Sequence, residues 1–113
     1  MSIKRIEPGT RMSQAVVHGS VAYLAGQVAL GPSVTEQTKS VLTQIDTLLA
    51  AAGTDKSKLL TATIYLADIS TFAEMNAAWD AWVAPGGAPA RATVEAALAT
   101  PDYKVEIVVT AAL

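Results

Sequence analysis

An arginine stands inside an otherwise apolar stretch near the C-terminal end of the sequence. The segment reads PGGAPARATVEAAL over residues 85–98, and Arg91 interrupts small and aliphatic residues whose alternation is typical of a strand. A guanidinium group presents a planar fork of N–H donors that matches a carboxylate with two parallel hydrogen bonds. Because burying an unpaired charge is costly, the pattern predicts a carboxylate partner for Arg91.

Two kinds of partner fit this arginine. Alternation along the predicted strand 90–98 places Arg91 and Glu95 on one face, and the next strand is expected to contribute Glu106 to the same mixed face. The periodicity by itself favours an internal Arg–Glu ion pair on a half-buried surface. The alternative partner is the carboxylate of a ligand, in which case the mixed face is a binding surface.

Two helices are expected among the strands, and their ends carry recognisable signals. Ser33 and Glu36 form a capping box ahead of the first helix, and Gly53 is placed as its left-handed C-cap. Thr71 and Glu74 form a second capping box, and the second helix ends at a proline-glycine turn. Apolar stripes at helical spacing are formed by Val34, Val41, Leu42, Ile45, Leu48, Leu49 and Ala52, and by Phe72, Met75, Trp79, Trp82 and Val83.

Five strands complete the predicted architecture. They span residues 12–18, 21–30, 59–67, 90–98 and 103–112. The order is therefore β-β-α-β-α-β-β, which indicates an α+β fold with two helices packed on one face of a mixed sheet. We expect one domain over residues 1–113, in which the fully apolar strand faces meet the helices and leave the mixed face with Arg91 and Glu106 free.

Composition narrows the classes of function. The 113 residues include no cysteine, which excludes disulfides, thiolate metal sites and a cysteine nucleophile. The net charge is −2 without a basic stripe, so no nucleic-acid partner is expected. We expect a cytoplasmic protein with no membrane partner, because no signal-peptide core and no apolar run of ~20 residues is present. A hydrophobic content of 51% suggests that another subunit covers part of the surface.

Seven short motifs distributed along the chain carry a family resemblance. They are SQAV (13–16), AGQ (25–27), EQT (36–38), ATIYLAD (62–68), FAEMNAAWDAW (72–82), PARATVEA (89–96) and KVEI (104–107). With these motifs the sequence resembles the RidA/YjgF family, also called the L-PSP family, and is most similar to its YoaB-like branch. The resemblance implies a chorismate-mutase-like α+β fold and a homotrimer with a ligand cleft at each subunit interface.

The resemblance also implies a reaction and a set of site residues. Better-known members hydrolyse reactive 2-imino acids and their enamine tautomers to 2-keto acids and ammonia, and no metal or cofactor is implied. Arg91 matches the arginine that binds the substrate carboxylate, and Glu106 matches the glutamate that helps to position the attacking water. The implied substrate-binding residues are Arg91, Ala92, Thr93, Gly26, Gln27, Asn76, Met12 and Ala25.

Three of these positions depart from the deaminase branch of the family. Met12, Ala25 and Thr93 stand where that branch usually has tyrosine, serine and cysteine. We therefore expect carboxylate binding by Arg91 to be retained and imine hydrolysis to be weak. The alternative function is that of a non-catalytic binder of small carboxylates or reactive metabolites at the trimer interface.

Overall fold

Two helices pack against one face of a six-stranded mixed sheet in the computed structural model, which describes residues 2–113. The strands are β1 (Ile3–Pro8), β2 (Ser13–His18), β3 (Val21–Leu24), β4 (Leu59–Leu66), β5 (Ala90–Glu95) and β6 (Val105–Ala112). The helices are α1 (Val34–Ala52) and α2 (Phe72–Trp82). A short 3₁₀ turn at Lys56–Lys58 follows α1, and another at Ile69–Thr71 precedes α2. The strand order is β1-β2-β3-β6-β4-β5, in which only the β4–β5 pair is parallel among the pairs described.

The predicted order of elements lacked the first strand and is corrected to β-β-β-α-β-α-β-β. In β1, Lys4, Arg5, Glu7 and Pro8 interrupt the apolar alternation, and Ile6 is the residue of this strand that joins the core. The strand forms because its backbone pairs with β2, so its own side-chain pattern gives little signal. Charged residues and proline are common on such edge strands, where they discourage pairing with other chains.

The first helix forms as its end signals predict. The Ser33 hydroxyl accepts a hydrogen bond from the Glu36 N–H at 3.2 Å, and Gly53 adopts the left-handed conformation with φ 89°. The predicted apolar stripe is buried along the helix, at Val34, Val41, Leu42, Ile45, Leu48 and Leu49. This stripe supplies most of the helical side of the hydrophobic core, and Met75 and Trp79 of α2 supply the rest.

The second predicted capping box was wrong. Thr71 makes no side-chain cap, and the Glu74 carboxylate instead accepts hydrogen bonds from the N–H and hydroxyl of Thr35 at 2.9 and 3.1 Å. The turn before α2 is closed by Asp68, which accepts from the Ser70 hydroxyl and N–H. These two hydrogen bonds hold the pKa of Asp68 below its ordinary value, so this closure is lost only as the pH falls through that lowered pKa.

The two faces of the sheet differ in what covers them. On the helix face, Ile64 of β4 pairs with Ile107 of β6, and both side chains are fully buried under the helices. On the open face, the next pair is Tyr65 with Glu106, and neither residue is fully buried.

Among residues 2–113, neither helix has the length and the apolar composition that a membrane-spanning helix needs.

Replacing the C-cap glycine of α1 tests the backbone conformation directly. A Cβ at Gly53 would meet no atom within 4 Å, so Gly53→Ala is penalised by its positive φ alone. We expect the free energy of unfolding to fall by about 1 kcal/mol. Gly9→Ala is the matched control, because Gly9 lacks a positive φ and its added Cβ would lie 3.4 Å from the Met12 carbonyl oxygen. Equal losses for the two variants in chemical denaturation would contradict this explanation.

Candidate functional site

Arg91 lies on the helix face at the edge of the sheet. It pairs with Ala62 of β4, whose side chain is buried beneath the helices. The guanidinium carbon lies 5.2 Å from the centre of the Trp79 ring and 5.9 Å from that of Phe72, and both rings belong to α2. Cation–π contacts of this kind stabilise the position of the guanidinium without using its N–H donors.

The expected Arg–Glu ion pair is not formed within the chain. Glu106 lies with Tyr65 on the open face, two strands across and three residues along from Arg91, which is roughly 10 Å in each direction. Glu95 accepts a hydrogen bond from the Ile69 N–H at 3.0 Å. Within residues 2–113, no carboxylate oxygen lies within 4.0 Å of the Arg91 guanidinium nitrogens.

The prediction that Arg91 and Glu106 share a face was therefore wrong, and so was the expected orientation of the predicted strand 90–98, which corresponds to β5. Ala92 and Val94 were expected to face the helices, whereas both lie on the open face and Val94 is 42% exposed. The physical reason is that β5 lies at the edge of the sheet, where α2 covers the helix face only in part. A polar side chain is tolerated there, so alternation alone does not identify the covered face.

Two buried oxygens near this edge have no hydrogen-bond partner. Thr93 Oγ1 belongs to the residue two positions after Arg91 on the same face of β5, and Asn76 Oδ1 belongs to the helix that carries Phe72 and Trp79. Buried polar atoms in folded proteins normally have a partner. Phe72, Asn76, Trp79, Arg91 and Thr93 are called the edge cluster below, and it offers an unpaired cation beside two unsatisfied oxygens.

A β-bulge positions the second group of predicted residues. Tyr23 pairs with Thr110 but Gln27 pairs with Ile107, so the β3 side contains one extra residue at the Ala25–Gly26 step. The backbones of Gln27 and Ile107 exchange two hydrogen bonds, of 2.9 and 3.1 Å. The predicted strand 21–30 is thereby corrected to a regular part that ends at Leu24. Bulges of this kind redirect side chains and are frequent beside functional sites.

Gly26 makes room for the Glu106 carboxylate. A Cβ added at Gly26 would overlap Glu106 Oε2 and would lie 2.9 Å from the carboxyl carbon. The absence of a side chain at the bulge therefore permits the observed position of Glu106. The position of the Glu106 side chain on the open face therefore depends on the glycine at position 26.

Gln27 and Met12 line a cleft beside the bulge. Gln27 is buried, and its NH₂ group donates to Gln14 Oε1 at 3.0 Å and to the Ala25 carbonyl at 3.1 Å. The cleft has a volume of about 510 Å³ and extends from Met12 and Gly26 to Thr43 and Thr47 of α1. Met12, Gln14, Gly26, Gln27 and Glu106 are called the bulge cluster below. In residues 2–113, no group of three or more histidine, aspartate or glutamate side chains could hold a metal ion.

Comparison with known proteins decides the family. The sequence profile described as Endoribonuclease L-PSP matches residues 2–113. The chain belongs to the L-PSP family. It is 50% identical to a RutC family protein of Haemophilus ducreyi, over 98% of this chain and 97% of that one, and 48% identical to the RutC family protein YoaB of Escherichia coli over all of both chains. The predicted family and its YoaB-like branch are thus confirmed.

A solved structure gives the same result for the fold of this L-PSP protein. A YjgF family member from Neisseria meningitidis superposes with a TM-score of 0.97 at 49% identity, and the match covers 99% of this chain and 95% of that one. The expected mixed sheet with two packed helices is therefore confirmed, apart from the first strand.

The predicted site residues of this L-PSP protein form two groups. Arg91, Thr93 and Asn76 lie in the edge cluster, while Met12, Gly26, Gln27 and Glu106 lie in the bulge cluster; Ala25 adjoins the bulge, and Ala92 is exposed on the open face. Phe72 and Trp79 were predicted as members of an apolar helical stripe, and their contact with Arg91 was not predicted. Their spacing of one helical turn on either side of Asn76 was the available signal.

Gly26→Ala tests the dependence of Glu106 on the bulge. We expect the carboxylate to leave its position while the fold persists, because a glutamate side chain can rotate away. The free energy of unfolding is expected to fall by about 1 kcal/mol. Crystal structures of the variant measure the displacement. A double-mutant cycle with Glu106→Ala provides the control, since the penalty of Gly26→Ala should disappear when no carboxylate is present. An unchanged Glu106, or an undiminished penalty in the double variant, would refute the contact.

Proposed function

We propose that this protein hydrolyses small 2-imino acids and their enamine tautomers to 2-keto acids and ammonia, in sites that combine Arg91 of one subunit with Glu106 of a neighbouring subunit of a homotrimer. The observation that carries the proposal is the state of Arg91. Its guanidinium is half-buried, held against two aromatic rings, and without a carboxylate partner in the part of the chain that the structure describes. A 2-imino acid supplies the missing carboxylate.

The edge cluster suits the other polar atoms of such a substrate. The Thr93 hydroxyl can donate to the carboxylate that Arg91 binds, and Asn76 Oδ1 can accept an N–H of the imino group. Both oxygens then gain the partners that they lack in the free protein. Binding at two ends fixes the orientation of the C=N carbon, which lowers the entropic cost of attack by water.

The reaction needs a positioned water and proton transfer. Water adds to the carbon of the protonated C=N bond and forms a carbinolamine; the C–N bond then breaks, C=O forms, and ammonia leaves with the transferred proton. A carboxylate such as Glu106 can orient the water and accept its proton as general base. An imine is already electrophilic, so this chemistry calls for no metal or cofactor.

The composite site follows from the two faces of the sheet. Arg91 and Glu106 lie on opposite sides of one sheet, so they can reach one small substrate only if they come from different copies. The open face, which carries Glu106, also carries the exposed side chains of Tyr23 and Val94. Exposed apolar side chains of this kind mark a surface that a second copy can cover. A cyclic trimer in which the open face of one copy meets the β5 edge of the next satisfies both requirements.

A non-catalytic binder of small carboxylates is the second candidate. It is favoured by Met12, whose thioether side chain is 49% exposed at the cleft and supplies neither an acid nor a base. Carboxylate binding by Arg91 would be retained in such a protein, whereas turnover would be absent. Both candidate functions therefore predict binding of small carboxylates by Arg91, and only the first predicts hydrolysis of imino acids.

Arg91 variants test the binding role that both candidates share. We expect Arg91→Ala to weaken binding of 2-oxobutanoate by about 2–3 kcal/mol, the scale of a lost charge-assisted contact. Arg91→Lys should rescue little, because an ammonium lacks the two-pronged geometry. Unfolding free energy should fall by about 1 kcal/mol from the lost cation–π contacts. Arg11→Ala, at an exposed arginine in the β1–β2 turn, is the control for calorimetric titration. Unchanged acid binding in folded Arg91→Ala protein would refute the ligand role.

Mixed oligomers test the composite site. Arg91→Ala and Glu106→Gln proteins are each expected to lack hydrolysis of freshly generated 2-iminopropanoate. When the two are unfolded and refolded together, chance pairing gives an intact Arg91 beside an intact Glu106 in about one quarter of the sites of a cyclic oligomer. About a quarter of wild-type activity should return. No recovery despite mixed trimers in native mass spectrometry would overturn the composite site, and an inactive wild-type protein that still binds 2-oxo acids would favour the non-catalytic binder.

A further inference from the structure

One glutamine near the start of α1 is wholly buried and is hydrogen-bonded to two separate loops. Gln37 is 0% exposed, and its Nε2 donates to the carbonyl oxygens of Gly31 at 3.0 Å and Asp102 at 2.9 Å. Its Oε1 accepts the N–H of Lys104 at 2.8 Å. Both N–H donors and the carbonyl of this amide thus serve backbone groups outside its own helix, and none of them is available to a ligand.

The two loops lead directly into the bulge cluster. Gly31 is four residues after Gln27, and Lys104 is two residues before Glu106. Between these points, Gln27 and Ile107 are joined by two backbone hydrogen bonds. These hydrogen bonds and the chain between them form a closed circuit. It runs from Gln37 to Gly31, along the chain to Gln27, across two backbone hydrogen bonds to Ile107 of β6, and along the chain to Lys104, which is bonded to Gln37.

The circuit also sets the start of β6. The Lys104 carbonyl accepts the Ala67 N–H at 3.1 Å, next to the first β4–β6 pair, Leu66 with Val105. The backbone of Lys104 is therefore held from both sides, by Gln37 and by Ala67. Without the Gln37 amide, the backbone groups of Gly31, Asp102 and Lys104 would lose these partly buried hydrogen bonds, and the two loops would lose the bonds that tie them to α1.

We propose that Gln37 is a positioning residue for Glu106. By fixing the loop after the bulge and the first residues of β6, it keeps the Glu106 carboxylate against Gly26 on the open face. The consequence for catalysis rests on the proposed hydrolysis, whereas the consequence for the position of Glu106 does not. Arg91 lies on the helix face of β5, whereas Glu106 lies on the open face, and Arg91 takes no part in the hydrogen bonds of Gln37. Binding of the substrate carboxylate by Arg91 is therefore independent of Gln37.

The kinetic signature of such a residue is specific. If Glu106 acts on the water and Arg91 holds the substrate, a displaced Glu106 lowers kcat and leaves KM nearly unchanged. We expect Gln37→Leu to lower kcat by at least ~10-fold with KM within ~2-fold of the wild-type value. Gln37→Glu keeps the oxygen that accepts from Lys104, so it is expected to lie between the wild-type protein and Gln37→Leu.

The experiment compares these variants with Leu42→Ala, a core truncation on the same helix that removes no hydrogen bond. All are assayed with enzymatically generated 2-iminopropanoate at temperatures set to the same interval below their melting temperatures. Amide hydrogen exchange followed by mass spectrometry is expected to accelerate at least ~10-fold in residues 28–33 and 101–106 of Gln37→Leu, and not in Leu42→Ala. Crystal structures then locate the Glu106 carboxylate, and Gln37→Glu serves for these readouts if Gln37→Leu does not fold.

The outcomes separate this inference from the proposed function. Exchange that rises evenly over the chain, a Glu106 that stays in place, or an equal loss of kcat in Leu42→Ala would each overturn the positioning role. If the wild-type protein hydrolyses no imine, the proposed function fails, while local exchange and the position of Glu106 still decide the role of Gln37. Localised exchange together with a displaced Glu106 supports it.

Discussion

The pairing of β6 with β4 determines on which side of the sheet Glu106 lies and, through β5, on which side Arg91 lies. Ile64 meets Ile107 under the helices, so the neighbouring pair, Tyr65 and Glu106, must point the other way because side chains alternate with a period of two. The parallel pairing of β4 with β5 extends the same constraint to Arg91, which joins the covered side. The apolar core thus fixes the separation of the two charged groups, and this separation is the basis for proposing a site between copies.

Arg91 also illustrates how an edge tolerates charge. A guanidinium in the centre of the helix face would lose most of its hydration, whereas at β5 it stays half-exposed and rests on the rings of Phe72 and Trp79. The protein therefore does not need an internal carboxylate to neutralise it. The same partial cover leaves Thr93 Oγ1 and Asn76 Oδ1 without partners. A small carboxylate that also carries an N–H donor has the chemistry to pair with Arg91 and with both of these oxygens.

Local signals in the sequence were sufficient for α1, whose cap at Ser33 and stop at Gly53 are properties of a few adjacent residues. They failed where partners distant in the chain decide the outcome. Glu74 has the spacing of a capping box but binds Thr35, 39 residues away. The strand β1 exists because β2 pairs with it, and the faces of β5 follow from its place at the sheet edge. The family motifs indicated the types of the candidate site residues, yet neither their division into two clusters nor the hydrogen bonds of Gln37 could be derived without the register of the sheet.

Most of the candidate site residues lie where the backbone departs from regular structure or where the sheet ends. Gly26 and Gln27 belong to a bulge, Met12 adjoins a turn, and Thr93 lies on an edge strand. None of these positions belongs to the apolar cluster that α1 and the central strands bury. The side chains at Met12, Ala25 and Thr93 can therefore change with little effect on stability, and the chemistry of the clefts can vary within one fold. Glu106 is the exception, because the strand that carries it also supplies Val105 and Ile107 to the core. The position of this candidate site residue is therefore tied to the packing of the core.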